Sequence, residues 1–163
     1  MGVEFGLCLP EASAYHQEML RERADEYEDD VRTFLEAGEL VSATDYIKAL
    51  RVREVIKREW QKLYERIDVL AAPATPSTAA KVGQESFTWS DGNEESVTSA
   101  YVRLSCPANL TGLPSISVPC GFSTEKLPVG MQILGRPFEE RVIVGAANAY
   151  EAITDWRSQF PDI

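Results

Sequence analysis

Apolar residues recur three or four positions apart along much of the N-terminal part of the chain. They fall at Ala12, Tyr15, Met19, Ala24, Tyr27, Val31 and Phe34, with acidic residues filling the outer face, and this predicts one amphipathic helix with a break near Asp29-Asp30. Ahead of it, residues 3 to 9 (Val-Glu-Phe-Gly-Leu-Cys-Leu) alternate loosely. That predicts a strand, with Pro10 in the first turn of the helix that follows. Gly38 is the predicted stop, and Ser42-Ala43-Thr44-Asp45 has the form of a capping box opening a second helix to about Arg66. The inward stripe of that helix reads Ala49, Val52, Ile56, Trp60, Leu63 and Ile67. Its basic residues interleave with Asp45, Glu54, Glu59 and Glu65, which marks a solvated face of mixed charge.

The period then changes. Asp68 to Ala72 is a short apolar run ended by Pro73 and Pro76, and predicts a buried strand. Residues 77 to 95 are rich in Ser, Thr, Gly, Asp and Asn, with only Phe87 and Trp89 as bulky apolar groups. They read as a long loop, and the pattern leaves open whether it covers a pocket or is a surface loop anchored by those two rings. Residues 96 to 106 predict a short helix. Ser115 to Val118 and Val129 to Leu134 alternate, with Pro119-Cys120-Gly121 ending the first run and residues 123 to 128 forming a turn, so an antiparallel hairpin is expected. A last helix starts near Glu139, with Ile143, Ala146, Ala147, Tyr150 and Ile153 buried and Gly145 allowing close approach to the sheet. The fold class is α/β, a short sheet flanked by long helices. With no repeat or linker, residues 1 to 163 read as a single unit.

Composition narrows the function classes. At 163 residues, 44% hydrophobic and 26% charged, the chain is long enough to bury roughly 68–70% of its unfolded surface. A net charge of −10 argues against direct binding of nucleic acid or an anionic membrane. The longest apolar runs fall far short of the roughly 20 residues that span a bilayer. No signal-peptide pattern opens the sequence, so a cytoplasmic setting is expected. Cys8, Cys106 and Cys120 show no C-x-x-C spacing and read as three buried reduced thiols.

Most catalytic constellations fail on residue type alone. There is no G-x-S-x-G elbow, P-loop or H-E-x-x-H, and His16 is the only imidazole, so no metal site is expected. A dyad of Cys120 and His16 is formally allowed. The placement of Pro119-Cys120-Gly121 at a strand end favours a backbone role instead.

One stretch carries more. Asn109-Leu110-Thr111-Gly112-Leu113-Pro114-Ser115-Ile116-Ser117-Val118-Pro119-Cys120-Gly121, then Leu127-Pro128-Val129-Gly130-Met131-Gln132-Ile133-Leu134-Gly135 and Phe138, closely resembles the C-terminal part of the amidase signature family. Upstream features match in the same order: Val31-Arg32 with Gly38, Asp45-Tyr46 with Ala49 and Arg51, and Asp68-Val69-Leu70 with Pro73, Thr75 and Pro76. The resemblance implies a partial amidase-signature fold, a mixed sheet between helices, and amide hydrolysis by a Ser, cis-Ser, Lys triad without a cofactor. That triad belongs to a Gly/Ser-rich signature N-terminal to the matched region, and no serine of this chain lies in such a setting. No catalytic residue is therefore assigned, and the chain reads as the C-terminal portion of an amidase domain lacking its N-terminal catalytic half, inactive alone.

The resemblance implies a substrate-pocket wall of Arg32, Tyr101, Val102 and Cys106, with Arg32 open to the alternative of a salt bridge to Asp29-Asp30. The structural motif residues are Asn109, Gly112, Pro114, Pro119, Gly121, Gly130 and Gly135. Amidotransferase A subunits of the family place an acidic residue five positions before the proline matching Pro107. Val102 stands there, followed by Arg103, which favours a general amidase over the tRNA-pathway enzyme. The partners implied are a small-molecule amide, the missing N-terminal half and, through unpaired strand edges, further copies of the chain. The competing readings are a non-catalytic binding protein that kept the scaffold, and the A subunit of a tRNA-dependent amidotransferase.

Overall fold

The computed structural model describes residues 2–160, with six α-helices, two 3-10 turns and five strands among them. Where the sequence reads as one unit, the packing falls into two, Met1–Lys57 and Arg58–Ile163.

The first unit is helical. Helix α1 runs Gly2–Glu22, so residues 3 to 9 are helix and the expected strand is absent. The loose alternation there also contains the i,i+4 pairs Val3/Leu7 and Phe5/Leu9, and packing selects the helical period: Leu7 is buried, and Phe5 stacks on Phe34 with ring centroids 6.1 Å apart. Pro10 lies inside the helix rather than in its first turn. It cannot donate to the carbonyl one turn back, and just beyond it the Ser13 hydroxyl bonds back to the Leu9 carbonyl at 2.9 Å while also meeting the Leu35 carbonyl. The chain leaves the helix at Arg23, makes a 3-10 turn at Ala24–Glu26, and enters α2, Asp29–Glu39. The break thus precedes Asp29 and Asp30, which open α2 as acids beside its positive end.

Gly38 does not stop α2. It is buried inside the helix, where a Cβ would lie 2.1 Å from the Ser13 Oγ and 2.2 Å from the Leu9 carbonyl oxygen. The glycine is there because α1 and α2 touch at that point. Ser42 opens α3, Ala43–Tyr64, by accepting the Asp45 amide at 3.1 Å and donating to the Asp45 carboxylate at 2.8 Å. That hydrogen bond, and then Lys48, hold the Asp45 carboxyl below its ordinary value. Of the expected stripe of α3, Ala49 is buried, while Val52 and Leu63 remain substantially exposed and Tyr64 is buried instead.

The second unit is built on a three-stranded antiparallel sheet, β1 (Val69–Pro73), β4 (Ser115–Phe122) and β5 (Pro128–Gly135), in the order β1-β5-β4. Parallel pairings of a mixed sheet are absent among the described residues. The expected hairpin is β4–β5, closed by a turn in which the Ser123 amide donates to the Leu127 carbonyl and its hydroxyl accepts the Glu125 and Leu127 amides. Pro119-Cys120-Gly121 does not end β4. The register slips by one residue between Pro119 and Gly121, and Gly121 has φ of 151°, so the strand passes through a bulge and continues to Phe122. Residues 77 to 95 are not loop throughout: β2 (Ser86–Thr88) pairs with β3 (Glu94–Ser96).

Helix α4 (Val97–Arg103) matches the expected short helix, capped by the Ser96 hydroxyl. A second helix, α5 (Cys106–Thr111), follows and ends on Gly112 at φ 71°. Helix α6 (Glu140–Glu151) lays Ile143 and Ala147 onto Val118 and Ile133 to form the core, with Val69, Ile116, Met131, Ala146 and Tyr150 around it. Two expectations drawn from pattern fail here. Gly145 faces open space, and the close approach is made by Gly135, whose Cβ would lie 2.6 Å from the Ile143 Cγ2. Ile153 lies beyond the helix and is exposed. The thiols also differ from expectation: Cys106 is buried, Cys120 half-buried and Cys8 exposed.

These placements rank three glycines. Gly38→Ala must push α1 and α2 apart against backbone, and Gly135→Ala must displace Ile143, so each is expected to cost about 1–3 kcal/mol, Gly38 the more. Gly145→Ala meets nothing and should stabilise by about 0.5–1 kcal/mol through helix propensity. Denaturant unfolding of the three variants checks the order.

Candidate functional site

The expected wall residues Tyr101, Val102 and Cys106 are brought together on α4 and at the start of α5. Each has a local reason for its place. The Tyr101 hydroxyl accepts the Ala80 amide and donates to the Thr78 carbonyl at 3.0 Å, while its ring meets Phe87 edge-on at 5.8 Å. Tyr101 therefore pins the segment leading into the β2–β3 hairpin. Val102 is half-buried, and its carbonyl accepts the Ser105 hydroxyl at 3.1 Å, which bends the chain from α4 into α5. Cys106 is buried at the first position of α5.

Arg32 belongs to the first unit, on α2, where it pairs with Asp29 and Glu36 at 3.5 Å each. The salt bridge at Asp29, the alternative left open for it, is present. His16 is in the first unit too, with Nδ1 3.0 Å from the Tyr27 hydroxyl. Cys120 sits in the β4 bulge of the second unit.

The hairpin beside α4 has an electrostatic anchor that pattern reading missed. Glu95 on β3 accepts the Trp89 indole N–H at 3.0 Å and takes Arg103 in a two-point pair at 3.1 and 3.2 Å. The Arg103 guanidinium also lies 5.7 Å from the centre of the Trp89 ring. A bidentate pair is stronger and more directional than a single contact, so the hairpin and α4 are held as one piece. Phe87 and Trp89 do anchor this segment, with ring centroids 5.5 Å apart.

Two side chains of β5 and its end position these elements on the sheet. Gln132, buried in the central strand, donates from Nε2 to the Pro73 carbonyl and to the Leu104 carbonyl, both at 2.9 Å. One amide thus ties the end of β1 to the end of α4. Arg136 donates to the carbonyls of Tyr64 at 3.0 Å and Ile67 at 2.9 Å, and pairs with Asp68 at 3.1 Å. A cation there complements the negative end of α3. The Tyr64 phenol is buried without a hydrogen-bond partner, and burial pushes its pKa up while Arg136 opposes the rise. Alternation puts Gln132 on the face opposite Met131 and Ile133, the outward one by sequence pattern, so its burial was not readable. Nothing in the sequence pattern marks Arg136.

The motif residues occupy backbone positions. Gly112 caps α5 in the left-handed region, its amide donating to the Ala108 carbonyl at 2.9 Å, and the Pro114 carbonyl accepts the Gly135 amide at 3.0 Å. Gly130 leaves room for Ala74 and Ser117, whose atoms a Cβ would meet at 3.2 and 3.3 Å. Pro119 pairs with Gly130 just before the bulge, and Asn109 lies exposed on α5. The hydroxyls of Ser13, Ser42, Ser96, Ser105, Ser123 and Ser158 all brace backbone or caps. A cavity of about 280 Å³ is formed by Ile153, Thr154, Asp155, Trp156 and Gln159, and none of the expected wall residues line it. Among the described residues no group of three His, Cys, Asp or Glu side chains could hold a metal ion, and no helix is long and apolar enough to cross a membrane.

The arrangement so far is a braced sheet carrying a helix pair and a pinned hairpin. An Amidase family profile matches residues 5–144. The chain belongs to the amidase signature family. An amidase from Pseudomonas putida is 47% identical over 161 residues, which is 99% of this chain and 34% of that protein. The A subunit of the glutamyl-tRNA(Gln) amidotransferase from Roseiflexus castenholzii is 35% identical, again over 99% of this chain and 32% of its own length. A crystal structure of an amidase superposes with a TM-score of 0.83 at 28% identity, covering 90% of this chain and 33% of its own. The chain thus spans about a third of the length of the relatives it matches.

The bracing predicts a graded response. Gln132→Leu leaves two carbonyls without their donor and is expected to cost about 1–3 kcal/mol. Tyr101→Phe should cost about 1 kcal/mol and act locally, raising hydrogen exchange at Ala80 while the sheet amides stay protected. Exchange mass spectrometry with denaturant unfolding reads both.

Proposed function

We propose that this chain is the C-terminal part of an amide-bond hydrolase that releases ammonia from a carboxamide, and that it supplies scaffold and one wall of the substrate pocket. The catalyst, a Ser, cis-Ser, Lys triad, stands in the N-terminal part of the fold, outside these residues. The observation that carries this reading is the match itself. It takes in nearly the whole of this chain and only a third of each relative, while the serines here sit in no Gly-rich pair.

The chemistry explains why that division leaves the chain without turnover. A serine hydroxyl must lose its proton to attack an amide carbon, and the lysine, acting through the second serine, takes it. Backbone amides of the glycine-rich loop then stabilise the oxyanion. None of those groups is supplied by α4, α5 or the braced hairpin. What these elements offer is a shaped surface: Val102 at the position where the amidotransferase relatives carry an acid, with Tyr101 and Cys106 beside it. An apolar residue there suits an amide substrate that brings no amino group to that point.

A reading as the A subunit of a tRNA-dependent amidotransferase is favoured by the relatives so named. The amidase relative is more alike over the same span, and Val102 points the same way. The setting proposed is cytoplasmic, with a small-molecule amide as partner and without direct contact to nucleic acid or membrane.

The test is ammonia release by the purified chain over a panel of primary carboxamides, with Cys120→Ala in parallel. No turnover is expected from either protein. Turnover by the chain that Cys120→Ala abolishes would overturn the reading and make that thiol the nucleophile.

A further inference from the structure

The tip of the β2–β3 hairpin holds two neighbours whose side chain and main chain can react with each other. Of the aspartates and asparagines in the chain, Asp91 alone precedes a glycine. The turn requires that glycine. The Gly92 amide donates to the Trp89 carbonyl at 2.9 Å, the Trp89 amide donates to the Asn93 carbonyl at 2.8 Å, and Gly92 stands at φ 83°, in the left-handed region. This is a three-residue hairpin loop with a glycine at its bulge, and a side chain there would be strained. The same glycine leaves the amide that follows Asp91 with no Cβ beside it. A Cβ at Gly92 would meet nothing within 4 Å, and Asp91, Gly92 and Asn93 are all exposed.

The reaction open to this pair is isomerisation. The Gly92 nitrogen attacks Cγ of the protonated Asp91 carboxyl, the new N–Cγ bond closes a five-membered imide, and one carboxyl oxygen leaves as water with the amide proton and the carboxyl proton. Water from solvent then opens the ring. Breaking the N–Cγ bond restores aspartate, whereas breaking the original peptide bond leaves the backbone running through Cγ, with a free α-carboxylate and a released proton. In the closed hairpin both reactants are occupied. The Asp91 carboxylate accepts the Asn93 backbone amide at 3.0 Å and its side-chain amide at 2.7 Å. The backbone contact first, and then the side-chain one, hold the carboxyl below its ordinary value, so less of the protonated form that loses water is present at neutral pH. The Gly92 nitrogen is committed to Trp89. Strands of three residues each are marginal alone, and the two-point pair of Glu95 with Arg103 ties them to α4.

We propose that the Asp91–Gly92 bond is a modification site of this chain, converting to an isoaspartyl linkage when the hairpin tip opens, at a rate set by the Asn93 clamp and the Arg103–Glu95 pair. The product carries one more carbon in its main chain at the turn, which breaks the bond from Gly92 to Trp89 and frees the hairpin. Phe87 lies edge-on to Tyr101 with centroids 5.8 Å apart. The loosening therefore reaches the segment at Ala80, whose amide the Tyr101 hydroxyl accepts. The site stands independently of the hydrolase reading.

The experiment incubates the purified chain at neutral pH beside a synthetic peptide of residues 86–96, and peptide mapping with electron-transfer fragmentation counts α- and β-linked Asp91 over time. Isoaspartate is expected at Asp91 before any other aspartate or asparagine, and about tenfold more slowly in the chain than in the peptide, as gating by local opening requires. Asn93→Ala and Arg103→Ala should each speed conversion in the chain about 2- to 10-fold, and Asn93→Ala should leave the peptide rate unchanged. Circular dichroism melting reports whether each variant folds, and the unsubstituted chain against the peptide decides the matter without them. Hydrogen exchange on the isomerised chain is expected to rise at Gly92 and at Ala80. An Asp91 that stays α-linked in the chain, equal rates in chain and peptide, first conversion at another residue, or folded variants that convert no faster than the parent would each overturn the proposal. Unchanged exchange at Ala80 would overturn the coupling through Tyr101.

Discussion

A single buried amide fixes the geometry of the second unit. Gln132 sits in the central strand of the sheet and gives both of its N–H groups to carbonyls that would otherwise lose their partner, Pro73 at the end of β1 and Leu104 at the end of α4. Burying a carboxamide is costly unless it is hydrogen-bonded, so the strand order and the seating of α4 are coupled through it. The same strand ends in Gly135, whose lack of a side chain admits Ile143 of α6, and then in Arg136, which holds the carbonyls that close α3. Strand β5 is thus where sheet, core helix and helix ends are set against one another.

From that fixed strand outward, rigidity is passed on by polar contacts rather than by a large apolar core. Helix α4 holds the hairpin through Arg103 and Glu95, and holds the segment before it through Tyr101. Shape is what such an assembly can contribute to catalysis: a wall held in register. A nucleophile and its proton relay are a separate requirement, and the serine hydroxyls whose bonds are seen here are committed to caps, turns and helix carbonyls. In the function proposed above, scaffold and chemistry are divided along the chain of an amidase, with this third on the scaffold side.

The sequence made some of this legible and hid the rest for identifiable reasons. Long periodic helices and the β4–β5 hairpin followed from spacing, and the Ser42 cap was readable from residue type alone. Residues 3 to 9 were misread because a run of alternating apolar residues also contains i,i+4 pairs, and only packing chooses between the two periods. Gly38 and Gly145 were misread because a glycine marks a helix stop, a close approach or neither, depending on what lies opposite. The hairpin within residues 77 to 95 was hidden because its strands are three residues each and are stabilised by Glu95 and Tyr101 rather than by alternation. At the candidate site, Tyr101, Val102 and Cys106 came from family resemblance. Periodicity cannot mark them, since their neighbours are decided by tertiary contacts.

The central claim is that no serine of this chain is a nucleophile, and active-site labelling tests it most directly. A fluorophosphonate reacts with a serine hydroxyl only where a base and oxyanion donors activate it, and intact-mass spectrometry of the treated chain reads each adduct. The account predicts an unchanged mass after treatment. Stoichiometric labelling mapped to any serine of these residues would contradict it and place a catalyst within the chain.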